Sequence, residues 1–355
     1  MFTQTLTRRV LGSDLVDLLT GPHGVDRYTE LVTPTWTRGE ARAKVVDVWR
    51  GTPRSVTLVL APNAALRHPV AAGQYVNLVV EIDGRRHTRC YSPANAQRAR
   101  HLELTIARHD GGLVSTYLYR HARRGMVVGL AGAGGDFVLP DGHTQPRPQR
   151  MLFVSGGSGI TPVLAMLRTL VAERHDGELA FVHYARTPAE ACYRDELAAM
   201  TGVRVLHGYT RSGSGDLDGR FGPDHLAAAM PEPDAVFVCG PTALADAVRR
   251  HCANVHTENF VAPAFEIPAT SSGGRVRFAD SGIDVADDGR PLLEQAESAG
   301  LNPDSGCRMG ICHTCTRRKT SGVVRNLTTG AVSTAADEDI QICVSAPVGD
   351  VEIAL

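Results

Sequence analysis

The stretch GCRMGICHTC, residues 306–315, places three cysteines within nine positions, and a fourth follows at Cys343. Cys307, Cys312 and Cys315 have the spacing C-x4-C-x2-C, and Cys343 closes the set 28 positions later. Four thiolates that converge on two irons use this spacing, so these residues are read as ligands of a 2Fe-2S cluster. Gly306 and Gly310 permit tight backbone paths, and a loop wrapped round a cluster directs its N–H groups at the sulfurs. Zinc is the competing reading. Structural zinc sites favour two short C-x2-4-C pairs, and only one such pair is present here.

The flanks set the fold of this last segment. GRVRFADSGIDVADDG reads as a β-hairpin, PLLEQAESAGL as a helix and DIQICVSAPVGDVEIAL as closing strands around Cys343. With CRMGICHTC between them, residues 275–355 resemble a plant-type ferredoxin domain, which implies an α+β, β-grasp-like fold. The following TRRKTSG is more basic than that resemblance leads one to expect. Arg317, Arg318 and Lys319 are read as a solvated hairpin or a partner-docking patch.

Composition bounds the rest. With 355 residues, 43% hydrophobic and 21% charged, the chain supports two or three packed domains. A formal net charge of −1 offers no global attraction to nucleic acid or anionic membranes, and no basic stripe interleaved with aromatics is present. The charge is uneven, however. Residues 275–355 hold 8 basic and 12 acidic side chains, against 29 and 26 in residues 1–274, which suggests an acidic tail domain docking on a more basic body.

No apolar run reaches the roughly 18 residues of a membrane span. Asp14 and Asp17 interrupt what would be a signal's apolar core, so a cytoplasmic location is expected. Leu6, Val10, Leu11, Leu15, Leu18 and Leu19 recur at helical spacing, so residues 1–39 are read as a helical extension with at most peripheral membrane contact.

Residues 40–145 are strand-like. KVVDVWR, SVTLVLAP, QYVNLVVEIDG, HLELTIARHDGG and GMVVGLAGAGGDFVLP are separated by turn residues, the pattern of a small antiparallel β-barrel. From residue 146 to 260 apolar strands alternate with helices, including AEACYRDELAAM, which predicts an α/β domain on a parallel sheet. Residues 261–274, rich in Pro, Ser, Gly and Ala, read as a linker spanning roughly 20 Å as a coil. The fold class is therefore multidomain.

The front half contains candidates for an electron source. In RHTRCYSPAN, Arg89 offers a bidentate cation to a pyrophosphate, Tyr91 a flat face to an isoalloxazine, and Ser92 a hydroxyl to the flavin nitrogen that takes up hydride. Cys90 falls within this set and is read as a small packed residue rather than a redox group. Gly111, Gly112 and Ser115 form a glycine turn entering a short helix, suited to a diphosphate. In FVSGGSGITP a buried strand meets Gly157, Gly159 and Thr161 in a G-x-G-x-x-P turn, where glycine admits a dinucleotide phosphate to a helix start. Arg186 and Arg194 follow and suit the 2′-phosphate of NADPH, whereas Glu190 nearby leaves NADH open. Cys239 and Gly240 end a further apolar strand.

The R-x-Y-S motif, the glycine turn about 20 residues later and the G-x-G-x-x-P turn together resemble the ferredoxin-NADP reductase family. That resemblance covers residues 41–355 when the fused ferredoxin is included. It implies FAD, NADPH and a 2Fe-2S cluster in series. It implies Ser92 and Cys239 beside the reacting flavin and nicotinamide atoms, and Phe260 as the aromatic that closes the reductase module. The front stretch with Trp36, and CRMGIC, are similar to actinobacterial reductases that serve membrane-bound stearoyl/acyl-CoA desaturases. A protein acceptor is therefore expected: such a desaturase first, otherwise a Rieske-type oxygenase or cytochrome P450. A non-enzymatic zinc or nucleic-acid binding protein and a redox sensor are the alternatives from other classes.

Overall fold

The computed structural model describes residues 35, 37, 40–66, 69–142, 146–258, 260, 273–310 and 312–355. The helix read in residues 1–39, Trp36 and nearly all of the linker lie outside the described residues. By compactness the chain divides into a first unit, which reaches Arg86 and resumes over Tyr91–Phe260, and a second, His87–Cys90 with Val261–Leu355.

An antiparallel sheet comes first in the chain, built from β1 (Ala41–Thr52), β2 (Ser55–Pro62), β3 (Tyr75–Ile82), β4 (Arg85–Tyr91), β5 (Leu102–Ala107) and β6 (Val127–Gly134), in the order β4-β3-β6-β1-β2-β5. Alternation puts Val56, Leu58, Leu60, Val76, Leu78, Leu104 and Ile106 inside one apolar core, as the period of two dictates. The β3–β4 turn is Asp83-Gly84, both at positive φ, the pairing that two-residue hairpins demand. Helix α1 (Leu113–His121) covers the open end of this core through Val114 and Leu118.

A parallel sheet follows: β7 (Arg150–Gly156), β8 (Glu178–Ala185), β9 (Val203–Tyr209), β10 (Ala235–Cys239) and β11 (Val255–Glu258), in the order β11-β10-β7-β8-β9. Helices α2 (Ile160–Ala172), α3 (Arg194–Ala199), α4 (Pro223–Ala229) and α5 (Thr242–His251) connect these strands. Chain order reverses between β7 and β10, and a crevice opens at the carboxyl ends of two such strands. Arg168 of α2 ties the two layers of this unit together. It donates to Ala94 O (2.7 Å) and Glu103 Oε1 (3.0 Å), and to both carboxylate oxygens of Glu196 (2.7 and 2.6 Å).

One predicted helix is shorter than its sequence suggests. AEACYRDELAAM divides into a 3-10 turn at Pro188–Glu190 and α3, with Tyr193 left-handed at φ 59° between them. The Tyr193 hydroxyl is engaged by Thr105 and by Glu103 Oε1 (2.9 Å), and holding that partner on β5 overrides helix propensity.

In the second unit, β12 (Arg275–Phe278), β13 (Ile283–Ala286), β14 (Thr316–Asn326), β15 (Val332–Ser333), β16 (Glu338–Gln341) and β17 (Ser345–Ile353) form a mixed sheet ordered β13-β12-β17-β14-β15, with β16 pairing to β14. Only β12 and β17 run parallel. Helix α6 (Leu292–Ser298) packs Leu292, Leu293 and Ala296 on Val276, Phe278 and Ile342. Lys319 corrects the reading of a basic patch. Its side chain is fully buried, and Nζ donates to Gly322 O (3.2 Å), Ser333 O and Oγ (both 3.3 Å) and pairs with Glu338. Strand alternation turns it inward, whereas Arg318 faces out toward Asp337 and Asp339.

Candidate active site and iron-sulfur centre

The crevice at the sheet's reversal is made by glycines that leave no room for side chains. A Cβ on Gly159 would lie 2.3 Å from Cys239 O, and one on Gly156 would lie 2.8 Å from Pro241 Cδ. Gly157 is required for its φ of 57° and faces open space. The Gly157–Gly159 turn then enters α2, where the Thr161 hydroxyl donates to Ser158 O (3.4 Å). The start of α2 is thus set against the end of β10, where Gly240 turns the chain beside Gly156.

Cys239 is fully buried, and burial, then the nearby Glu258 carboxylate, push its thiol well up. It pairs in register with Glu258 on one side and Ser155 on the other. Glu258, which the sequence reading passed over within HTENF, has a buried Oε2 with no partner among the described residues. Burial raises its carboxyl to about 8. Phe260 packs into the same apolar cluster as Cys239, Ile160 and Ala94. Ser92, two residues before Ala94, is 2% exposed and its Oγ also lacks a partner. A buried hydroxyl and carboxyl without partners fit an absent ligand with hydrogen-bonding edges, as flavin and nicotinamide are.

The same row continues across the sheet. Ser155 is in register with His183, and His183 with His207. Ser155 Oγ and His183 Nδ1 are 2.8 Å apart. His183 is fully buried, and burial, then His207, press it down to about 3. It is therefore a neutral imidazole. The sequence reading missed this row because it exists only across strands.

Toward the phosphates, Gly111 has φ 77° with open space before it. Gly112 allows the Ser115 hydroxyl to accept from His109 N (3.2 Å) and donate to Gly112 O (3.4 Å). Tyr91, at the end of β4, packs against the antiparallel sheet's core. Arg186 directly follows β8, half-exposed and 3.9 Å from Glu190. Arg211 donates its backbone N–H to Arg186 O (2.9 Å), so a second cation follows at the neighbouring strand end. Arg194 begins α3 and pairs with Asp195 at 3.6 Å.

In the second unit the thiols separate into two pairs. Cys315 and Cys343 are 1% and 4% exposed in the core, whereas Cys307 and Cys312 are only partly buried. Two irons, each with two protein thiolates, fit this division. Backbone donors reach the outer sulfurs: Cys307 N to Cys312 Sγ (3.2 Å), and Met309 N and Cys312 N to Cys307 Sγ (3.3 and 3.4 Å). Hydrogen bonding from Cys307 foremost holds Cys312 well below the thiol range, and hydrogen bonding from Cys343 lowers Cys315. Gly306 is required because a Cβ there would lie 2.6 Å from Cys312 Sγ. Arg308 and His313 take positive φ (58° and 56°) to wrap the loop. Arg89 Nη1 donates to Thr88 O (2.7 Å) and Gly306 O (3.2 Å). Cys90 likewise departs from the packed residue expected: its sulfur lies with those of Cys307 and Cys312, all within 4.8 Å of one another.

Residues 55–139 match the oxidoreductase FAD-binding domain family, 153–250 the oxidoreductase NAD-binding domain family and 277–348 the 2Fe-2S iron-sulfur cluster binding domain family. An NADPH oxidoreductase of Mycobacterium tuberculosis is 35% identical over 349 residues, 94% of this chain and 89% of that protein. The chain belongs to the ferredoxin-NADP reductase type of flavoprotein with a C-terminal 2Fe-2S domain. Within that type, this reductase is 28% identical over 365 residues to the glycine betaine monooxygenase reductase subunit of Pseudomonas aeruginosa, covering 91% of this chain and 97% of that one. The crystal structure of phthalate dioxygenase reductase shares its fold, with a TM-score of 0.59 at 23% identity over 88% of this chain and 97% of that one. The reductase is an oxidoreductase with FAD, NAD(P) and 2Fe-2S as cofactors, which sets the zinc reading aside.

Proposed function

We propose that this reductase takes hydride from NADPH and passes electrons one at a time to a separate iron-containing protein, a fatty acyl-CoA desaturase in the first instance. FAD, when bound, converts the two-electron donor to one-electron steps and the cluster carries each electron outward. The observation that carries the reading is the crevice itself, with Cys239, Glu258 and the unpartnered Ser92 hydroxyl in the first unit and a paired-thiol loop in the second.

The chain's own residues divide the work. Gly157, Gly159, Thr161 and Gly240 admit the dinucleotide at the start of α2, Arg186 with Arg211 receives its 2′-phosphate, and Arg194 flanks them. Cys239 and Phe260 shield the nicotinamide carbon from water, while Ser92 hydrogen-bonds the flavin edge. Glu258, protonated at neutral pH because burial raises its carboxyl, holds a proton beside that edge. Tyr91 backs the flavin ring, and Gly111, Gly112 and Ser115 shape the diphosphate turn. Cys307, Cys312, Cys315 and Cys343 are the iron ligands.

NADPH is favoured over NADH because two guanidinium-bearing residues follow adjacent strand ends, against one carboxylate, Glu190. Among the described residues, no helix is long and apolar enough to cross a membrane. The desaturase reading is supported by the resemblance of the front stretch. A second reading, an oxygenase acceptor, is supported by relatives whose names are those of monooxygenase and N-demethylase reductase subunits.

Reconstitution decides between them. The reductase, NADPH and an acyl-CoA desaturase should yield a double bond in a stearoyl-CoA substrate, and NADH should be at least tenfold poorer in kcat/KM. Electron delivery to an oxygenase but to no desaturase would overturn the first reading. Equal use of NADH and NADPH, unchanged in Arg186→Ala, would overturn the 2′-phosphate assignment.

A further inference from the structure

The four-thiolate set leaves one neighbouring sulfur without a role. An iron with two bridging sulfides and two protein thiolates is tetrahedral and full, and Cys307 with Cys312 completes the outer one. Cys90 nevertheless places its sulfur within 4.8 Å of both. Its chain neighbour Arg89 is fastened to the same loop through Gly306 O (3.2 Å), so contact with the loop is made by two consecutive residues. A cysteine S–H is a weak hydrogen-bond donor, and a thiol beside two ligating sulfurs is placed to direct its hydrogen at them. The outer sulfurs already collect backbone N–H donors at 3.2 to 3.4 Å. Cys90 adds a donor of a different kind, carried by a side chain and therefore removable by substitution.

We propose that Cys90 is a hydrogen-bond donor to the Cys307 and Cys312 thiolates, a positioning residue that tunes the outer iron from within the flavin motif. A donor at a ligating sulfur draws off charge and favours the reduced, more negative cluster. Cys90 therefore raises the cluster potential.

The test uses the cluster-loaded full-length protein and its Cys90→Ala and Cys90→Ser variants, titrated reductively with the cluster followed by electron paramagnetic resonance. Both variants should retain two irons and two sulfides. At the parent's midpoint, the reduced-to-oxidised ratio should fall about tenfold in Cys90→Ala, equivalent to about 59 mV for a one-electron couple, with shifted g-values. Cys90→Ser, which still donates, should fall between alanine and the parent. Should alanine assemble poorly, a serine variant with full iron and a smaller downward shift still supports the donor role. A Cys90→Ala cluster with the parent's potential and spectrum overturns the proposal. Loss of iron from both variants overturns it also, because Cys90 would then be a ligand.

Discussion

Replacing Gly159 by alanine tests how the nicotinamide crevice is built. Gly159 has φ −66° and ψ 0°, a conformation alanine adopts without strain, so only space opposes the change. The added Cβ would lie 2.3 Å from Cys239 O, 2.5 Å from its carbonyl carbon and 2.8 Å from Gly240 N. All three are backbone atoms of a buried strand end and cannot rotate away. Restoring an ordinary contact of about 3.4 Å requires α2 and β10 to separate by about 1 Å, and a misplacement of that size at a reacting centre costs on the order of 100-fold in rate. Overpacking adds about 1–3 kcal/mol of destabilisation. Stopped-flow reduction of the flavin by NADPH should therefore slow by one to two orders of magnitude in Gly159→Ala. Iron and sulfide content, set in the other unit, should stay at the parent's level. Flavin reduction within twofold of the parent would refute the claim that backbone contact between α2 and β10 positions the donor.

Lys319→Ala should destabilise the ferredoxin unit by about 2–3 kcal/mol, because it removes the ammonium that satisfies Gly322 O, Ser333 O and Glu338. Breaking a buried pair costs most, and the half-exposed Glu338 lessens it. A lower temperature for bleaching of the cluster absorbance is the measurement. Gly306→Ala should lower iron occupancy at least several-fold with FAD retained, since its Cβ meets Cys312 Sγ at 2.6 Å; iron assay against flavin absorbance checks it. His183 supplies a pH dependence. Its folded value of about 3 lies below the free value of 6.5, so the unfolded chain takes up the proton first and stability falls as pH drops from 6.5 toward 3. Between pH 6.5 and 4 this amounts to about 3 kcal/mol. His183→Gln should lose correspondingly less urea resistance over that interval, and an unchanged difference between the two pH values would contradict a buried neutral imidazole.

What was legible in the sequence was what short spacing encodes. The C-x4-C-x2-C loop and the G-x-G-x-x-P turn are each set by neighbours along the chain. The α/β layer followed from apolar strands alternating with helices. Features that depend on register escaped it. Glu258 has no local signature and gains meaning only when β11 lies beside β10 and sets it against Cys239. The Ser155, His183 and His207 row is scattered over 53 positions and assembled by two parallel pairings. Lys319 was grouped with Arg317 and Arg318 by charge, although its burial depends on Ser333, 14 positions away.

Cys90 shows the same limit at a position with chemical consequence. Flanked by Arg89 and Tyr91, it reads as filler in a flavin motif, and its relevant neighbours are more than 200 positions distant. Nothing in C-x4-C-x2-C calls for a further thiol, because the irons are already satisfied by the four ligands. A residue that acts by donating to a ligand is constrained by proximity to sulfur rather than by coordination number, so spacing rules tuned to ligands pass over it. The same reasoning says where to look for others: among the described residues, backbone N–H groups of the loop reach Cys307 and Cys312, and the Thr314 side chain reaches Cys312. The backbone donors survive any side-chain substitution, and Cys90, which lies outside the loop, is therefore a donor through which the potential of the outer iron can be changed without altering the loop's own sequence.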